Sequence, residues 1–367
     1  MTALVRIVKT SIIIKRNVRP LPKHALNHLN ILLLEKSGVD LYNPLREGDE
    51  YPLHSPVCVI GTIFIDCKGF AVQSYHPSTR NIGTIQFVHG GVGRNIAENL
   101  ANLHLPTTFV TSVDDTAIGR EVVERLQKLK VNNEHQIRSK QRGMGMWLAV
   151  LDEKGELAGS ISQIPDFTLL QRFITSKGKT VIGQSSHIAL ELDLTIDIVN
   201  HVIKMAKKEK KPIYGVPGNL DVILKHTEIL GHLDCFICNN FEADLFLKLD
   251  FTNLAVDQKI DSLIRFVERS GLGSMVVTLG EQGSVFYDSR TKASGYQPVF
   301  PVKLVDTSGA GDAFFSGTVM GLVKGLPLKE AVVCGTKVAG WTIESPENTC
   351  PDLPMKIQQD EFFRKLL

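Results

Sequence analysis

Cysteine is scarce in this chain. Six in 367 residues are too few to staple a fold of this length, so apolar burial must supply the core and a reducing, cytoplasmic setting is expected. Cys235 and Cys238 have C-x-x-C spacing, but no second pair or histidine cluster accompanies them. They sit in an apolar, strand-like run, and buried thiols are the expectation there, not a metal or redox centre. Long apolar stretches are also missing: no run approaches the roughly 20 residues that span a bilayer. Net charge is nearly absent, with 41 Lys plus Arg against 39 Asp plus Glu. Such a balance gives no field to gather nucleic acid or an anionic membrane, so neither is expected as a partner. No G-x-x-x-x-G-K-[ST] occurs, which excludes a P-loop. The Gly90–Asn95 turn has no acidic residue ending a neighbouring strand, which argues against a dinucleotide site. No internal repeat is present.

Acid is absent from one region in particular. Arg6, Lys9, Lys15, Arg16, Arg19 and Lys23 all precede the first acid, Glu35. We read residues 1–54 as an N-terminal extension, poorly ordered or a targeting segment, with one short helix from Ala25 to Glu35. Its composition makes mitochondria the alternative to the cytoplasm.

From Pro56 the chain changes character. Val57–Gly61 is a short apolar run ending in glycine, as a buried parallel strand reads. Lys68–Val88 alternates weakly and suggests a partly exposed hairpin; Met144–Val150 and Leu157–Ile161 flank the polar turn Asp152-Glu153-Lys154-Gly155 and suggest another. The order is otherwise regular: strands at Thr107–Val113, His187–Leu190, Pro212–Val216, Cys235–Cys238 and Ser274–Thr278 alternate with helical patterns. The helices fall at Ile96–Leu103, Ile118–Leu129, Ile196–Lys207, Glu242–Leu249 and Gln258–Ser270. Strands at Ser284–Tyr287 and Gly295–Pro301 follow, then helices at Asp312–Val323 and Leu328–Thr342. Alternation at these lengths predicts a mostly parallel sheet with helices on both faces.

The chemistry concentrates at Asp306-Thr307-Ser308-Gly309-Ala310-Gly311-Asp312. Small residues let backbone N–H groups close on an anion, and a helix starting there adds the positive end of its dipole. Asp312 then stands beside a phosphate-sized hole. A βα turn with an acidic helix start reads equally well from these residues alone.

Two further stretches decide between those readings. Gly90-Gly91-x-x-x-Asn95 lies downstream of Asp66, and Asn239-Asn240-Phe241-Glu242 precedes the Asp312 motif. Together the three resemble the ribokinase-like (PfkB) carbohydrate kinase family in order and spacing, over roughly Val57 to Leu353. The resemblance implies a three-layer α/β/α domain over 55–367 with a central mostly parallel sheet and a small β-sheet lid drawn from about 68–88 and 143–162. It implies transfer of the ATP γ-phosphate to a ribosyl 5′-hydroxyl, with Asp312 as base and the amides of Gly309, Ala310 and Gly311 as the anion hole. Asp66, Gly90, Gly91 and Asn95 would hold the sugar. Asn239, Thr278, Gly280 and Gly283 would face the nucleotide, and Glu242 would act through water on Mg²⁺; a monovalent cation is an allowed addition. The last helix, through Gly340 and Glu344, would wall the adenine. Lid-to-lid pairing would make a homodimer.

Within the family the likeness is greatest to pseudouridine kinases. It is carried by Ile65-Asp66-Cys67-Lys68-Gly69, Gly90 through Leu100, Trp147 through Asp152 and Thr342 through Glu347. Departures fall at Val216-Pro217-Gly218-Asn219, where Asp-Pro is expected, and at Cys350, where Asn is expected. Uridine, adenosine or ribose are the alternative acceptors. A catalytically inactive scaffold is the alternative outside enzymes, and such a chain is expected to lose Asp312 or its glycines.

Overall fold

The computed structural model describes residues 55–218 and 220–366, and before them only the backbone of an antiparallel pair, Ile7–Val8 with Ser11–Ile12. The expected extension over 1–54, its Ala25–Glu35 helix and the departure at Asn219 lie outside the described residues.

The sheet begins at β1 (Val57–Ile60), all four residues buried. Val57 and Val59 join one apolar layer and Cys58 and Ile60 the other. That period-2 split is what a strand covered on both faces requires. Eight more strands extend it: β4 (Thr107–Asp114), β5 (Gln136–Ser139), β8 (His187–Glu191), β9 (Ile213–Val216), β10 (Cys235–Asn239), β11 (Ser274–Thr278), β12 (Ser284–Asp288) and β13 (Ala293–Gln297). The spatial order is β13-β12-β11-β10-β9-β8-β1-β4-β5. Pairing is parallel from β5 to β11, and antiparallel only for β11–β12 and β12–β13.

One face is covered by α1 (Val92–Asn102), α2 (Ala117–Lys128), α8 (Ala310–Val323) and α9 (Leu328–Thr342). The other carries α3 (Thr168–Gln184), α4 (Ile196–Lys208), α5 (Leu220–Lys225), α6 (Asn240–Leu247) and α7 (Val256–Ser270). Helices α8 and α9 pack through small residues: a Cβ on Gly317 or Gly335 would strike the facing backbone at 2.7 or 2.6 Å. The helix α3 escapes the sequence pattern because Gly178 and Gly183 interrupt it. Gly178 is there for packing, since a Cβ would meet Met205 Cε of α4 at 2.8 Å.

A separate four-stranded sheet holds both stretches expected to form a lid, in the order β3 (Gly83–Gly90), β2 (Phe64–Ala71), β6 (Gly145–Leu151), β7 (Leu157–Gln163). The two hairpins expected from sequence are joined by a parallel β2–β6 pair, Asp66 opposite Trp147. Three expectations are corrected. The strand read at Gly295–Pro301 lies at Ala293–Gln297, leaving Pro298 and Pro301, which lack an amide donor, outside the ladder. The helix read from Asp312 begins two residues earlier, at Ala310. The chain does not end with α9: α10 (Leu353–Gln359) and α11 (Glu361–Arg364) follow, burying Leu353, Ile357 and Phe363.

Candidate active site

The C-terminal ends of the parallel strands converge where α1 and α8 begin, the position at which open α/β sheets bind ligands. Gly309 is the N-cap of α8 with φ +76°, and a Cβ there would lie 1.9 Å from the Asn348 carbonyl oxygen. Only glycine satisfies both conditions. The Ala310 N–H donates to Thr307 O at 3.2 Å. Among the described residues, the N–H groups of Gly309, Gly311 and Asp312 have no acceptor. Of the three amides expected to line an anion hole, that of Ala310 closes the turn, while those of Gly309 and Gly311, with that of Asp312 beside them, stay open. Nothing lies within 4 Å of a Cβ placed on Gly311, so that face of the turn is open.

The Asp312 carboxylate is partly buried and accepts from Asn95 Nδ2 at 2.7 Å. Desolvation pushes its pKa up to about 6 against the lowering effects of that bond and of Arg94, with Glu242 and Asp66 adding to the rise. Asn95 is buried, and its Oδ1 is an acceptor with no partner among the described residues.

Asp66 is the third residue of β2. Its Oδ2 accepts from Asn348 Nδ2 at 3.1 Å, and burial raises its pKa. Gly90 is opposite Phe64 in the lid register; a Cβ there would fall 2.6 Å from Asp66 Oδ2. Gly91, at φ +94°, turns the chain from β3 into α1 against the backbone of Thr62 and Ile63. The residues expected to hold the sugar, Asp66, Gly90, Gly91 and Asn95, are thus brought together by two paired strands and one helix start, and Asn95 links them to Asp312.

Behind them stands machinery that sequence reasoning missed. Glu191, fully buried at the end of β8, accepts from the N–H of Thr62 at 2.7 Å and of Gly93 at 3.0 Å, and from Thr62 Oγ1 at 2.8 Å. Burial carries its pKa to about 7. Arg94, 1 % exposed, donates to Glu98 at 2.9 Å and to the carbonyls of His89 and Gly90. Glu98 also holds Arg125 at 2.7 Å and Thr349 at 2.7 Å, and Arg125 reaches Glu347 at 2.6 Å. This network pins the loop carrying Asn348 beside Asp66. The quoted run Thr342–Glu347 stops one residue short of it.

On the other side, Asn239 and Glu242 form a capping box on α6. The Asn239 N–H donates to Glu242 Oε2 at 2.7 Å, and the Glu242 N–H to Asn239 Oδ1 at 2.9 Å. Part of each side chain is thereby spent on the helix start. Glu242 Oε1 and Asn239 Nδ2 remain available. Burial raises the Glu242 pKa. No cluster of three His, Cys, Asp or Glu able to hold a metal occurs among the described residues. One carboxylate with a free oxygen fits a Mg²⁺ that keeps most of its water and is carried on phosphates, which is how that ion is commonly held.

Thr278, Gly280 and Gly283 line a cavity of about 560 Å³ with Val302, Leu304, Gly311, Phe314, Thr336 and Gly340. Gly280 has φ +61° and open space around it, whereas Gly283, at φ +91°, is required by the hairpin, its Cβ position lying 2.1 Å from Gln297 O. Glu344 does not line this cavity; it pairs with Lys356 at 2.7 Å and accepts from the Lys303 N–H at 3.2 Å. The six cysteines are free thiols, Cys235 and Cys238 both buried, and no described helix is long and apolar enough to cross a membrane.

A glycine turn opening amides beside a desolvated aspartate, with a polar side and an apolar side, is an arrangement suited to phosphoryl transfer between small molecules. The model for "pfkB family carbohydrate kinase" matches residues 55–354. The guanosine-inosine kinase of Exiguobacterium acetylicum is 36% identical over 292 residues, covering 80% of this chain and 95% of that protein. The pseudouridine kinase of Escherichia coli (strain K12) is 23% identical over 297 residues, 81% of this chain and 93% of that one. The solved ribokinase of Arabidopsis thaliana, complexed with ribose and ATP, superposes with a TM-score of 0.71 at 20% identity, covering 85% of this chain and 98% of that one. The chain belongs to the pfkB family of carbohydrate kinases. It is a kinase of the sugar and nucleoside type, with the ribokinase-like fold.

Proposed function

We propose that this protein is an ATP-dependent nucleoside kinase that phosphorylates the 5′-hydroxyl of a purine ribonucleoside of the guanosine–inosine kind. The observation that carries the reading is Asp312. It combines a raised pKa, a bond to the sugar-side Asn95 and a place at the mouth of open helix amides. A primary alcohol is a weak nucleophile, and a carboxylate with pKa near 6 can take its proton as the O–P bond forms. The Gly311 and Asp312 amides stabilise the charge on the transferring phosphoryl oxygens. Asp66 and the free Asn95 Oδ1 accept hydrogen bonds from ribose hydroxyls, orienting C5′ toward Asp312. The apolar cavity between Gly280 and Gly340 suits an adenine base, with Asn239 Nδ2 toward the phosphates. Mg²⁺, when bound with ATP, neutralises phosphate charge, and Glu242 Oε1 would hold one of its waters.

The purine preference rests on the 36% identity to a guanosine-inosine kinase. Pseudouridine is the second reading, favoured by the run from Ile65 to Gly69 and by Trp147, which shares the lid face of Asp66. ATP consumption measured across guanosine, inosine, pseudouridine, uridine, adenosine and ribose separates the two. Highest kcat/KM on guanosine or inosine is expected; preference for pseudouridine selects the second reading, and turnover of ribose alone overturns both. The outer lid face exposes Phe87 (62 %) and Ile161 (69 %), in one row with Cys67 and Leu148. A second copy covering that row is our proposal for the oligomer. Sedimentation should give a dimer that Ile161→Lys dissociates, and a monomeric wild type would refute it.

A further inference from the structure

Lys68 follows Asp66 by two residues on β2, so both side chains leave the same face of the lid. Its side chain is only 12% exposed, and it ends at the loop that leads into α8: Nζ lies 3.3 Å from Ser308 Oγ and 3.8 Å from Asp306 Oδ2. Asp306 Oδ1 meanwhile accepts from the Ser308 N–H at 2.8 Å. One carboxylate thus ties the loop to itself and to an ammonium on the lid sheet. The next residue, Gly309, sets the direction of the open amides at Gly311 and Asp312. Burying an ammonium is costly unless it is paired, and the contacts to Asp306 and Ser308 are what offset that cost here.

The lid strand that presents the sugar carboxylate therefore also grips the loop that aims the anion hole. We propose that Lys68 is a positioning residue for phosphoryl transfer: its ammonium, seated on Asp306 and Ser308, holds the Gly311 and Asp312 amides in line with a nucleoside bound at Asp66. Transfer is thereby made contingent on the lid being seated. The inference rests on the kinase reading above. A misplacement of about 1 Å in such a site costs on the order of 10²-fold in rate, so the effect belongs in kcat more than in KM.

The test uses the full chain, ATP and whichever acceptor the wild type phosphorylates. Lys68→Met should lower kcat by about 10- to 100-fold while the acceptor KM moves less than about threefold. Lys68→Arg should keep a larger part of kcat, and Ser308→Ala should lower it in the same direction, a few-fold. Ethylammonium chloride should restore part of the kcat of Lys68→Met, and tetramethylammonium chloride, which has no N–H to donate, should not. Melting curves identify folded variants; if Lys68→Met fails to fold, the ranking of Lys68→Arg and Ser308→Ala below wild type in kcat decides the matter alone. Unchanged kcat in folded Lys68→Met, or a loss confined to KM, overturns the proposal. So does a kcat that neither arginine nor ethylammonium raises. A wild type active on a free sugar and on no nucleoside contradicts the functional reading instead, and the same kcat comparison on that sugar still decides Lys68.

Discussion

The two sides of the α8 N-terminus are built on opposite principles. The sugar side is polar and tied across the chain: Asp66 to Asn348, Asn95 to Asp312, Glu191 to Thr62 and Gly93, and Glu98 to Arg94, Arg125 and Thr349. The nucleotide side is an apolar cavity rimmed by Val299, Val302 and Leu304, each more than a third exposed. A site that must orient hydroxyl groups needs fixed donors and acceptors, since a misaimed carboxylate stays desolvated and unpaired. A site that accepts a flat heterocycle needs shape and apolar area. The same contrast separates the two acids of the motif. Asp306 is held below its usual range by the Ser308 bonds and Lys68, despite some burial, whereas burial drives Asp312 up. Six residues apart, one carboxylate fixes the loop and the other is poised to exchange a proton.

The largest test of this division is Asp312→Asn. The amide still accepts from Asn95, so folding should survive while kcat falls on the order of 10²-fold or more. Linkage adds a sign. A carboxylate with a raised folded-state pKa binds more protons folded than unfolded, so its contribution falls as pH rises from about 4 to about 6. Above that window the asparagine variant should melt no lower than wild type. Near-wild-type turnover would remove Asp312 from the chemistry.

A smaller effect separates the two motif glycines. Gly309→Ala, at positive φ and against Asn348 O, should destabilise by about 2 kcal/mol or more. Gly311→Ala meets nothing and gains helix propensity, so it should stabilise by roughly 0.5–1 kcal/mol; its methyl should nevertheless raise the KM for ATP. Equal melting shifts in the two variants would show that the turn is not held from the sugar side alone.

Much of this was legible in the sequence, for identifiable reasons. The buried strands read correctly because each is a short apolar run, and α9 fell at Leu328–Thr342 as its periodicity indicated. Gly91 and Gly309 stand out because both sit at positive φ with backbone in close approach, conditions that only glycine meets. What stayed hidden depends on distance in the chain. Glu191 acts on Thr62 across 129 residues, Asn348 on Asp66 across 282, and Lys68 on Ser308 across 240; no local pattern marks such partners. The helix α3 was obscured by Gly178, which serves packing against α4 over its own helix propensity. The engagement of the Ala310 amide by Thr307 O is a local feature of the turn that residue type alone does not mark.

The central claim is that a desolvated Asp312, ionising near pH 6 in the free enzyme, accepts the proton of the acceptor alcohol. The pH dependence of kcat/KM with saturating ATP tests it directly. The account gives a plateau above about pH 7 and a tenfold loss per unit below an apparent pKa near 6. A profile flat to pH 5 would contradict it.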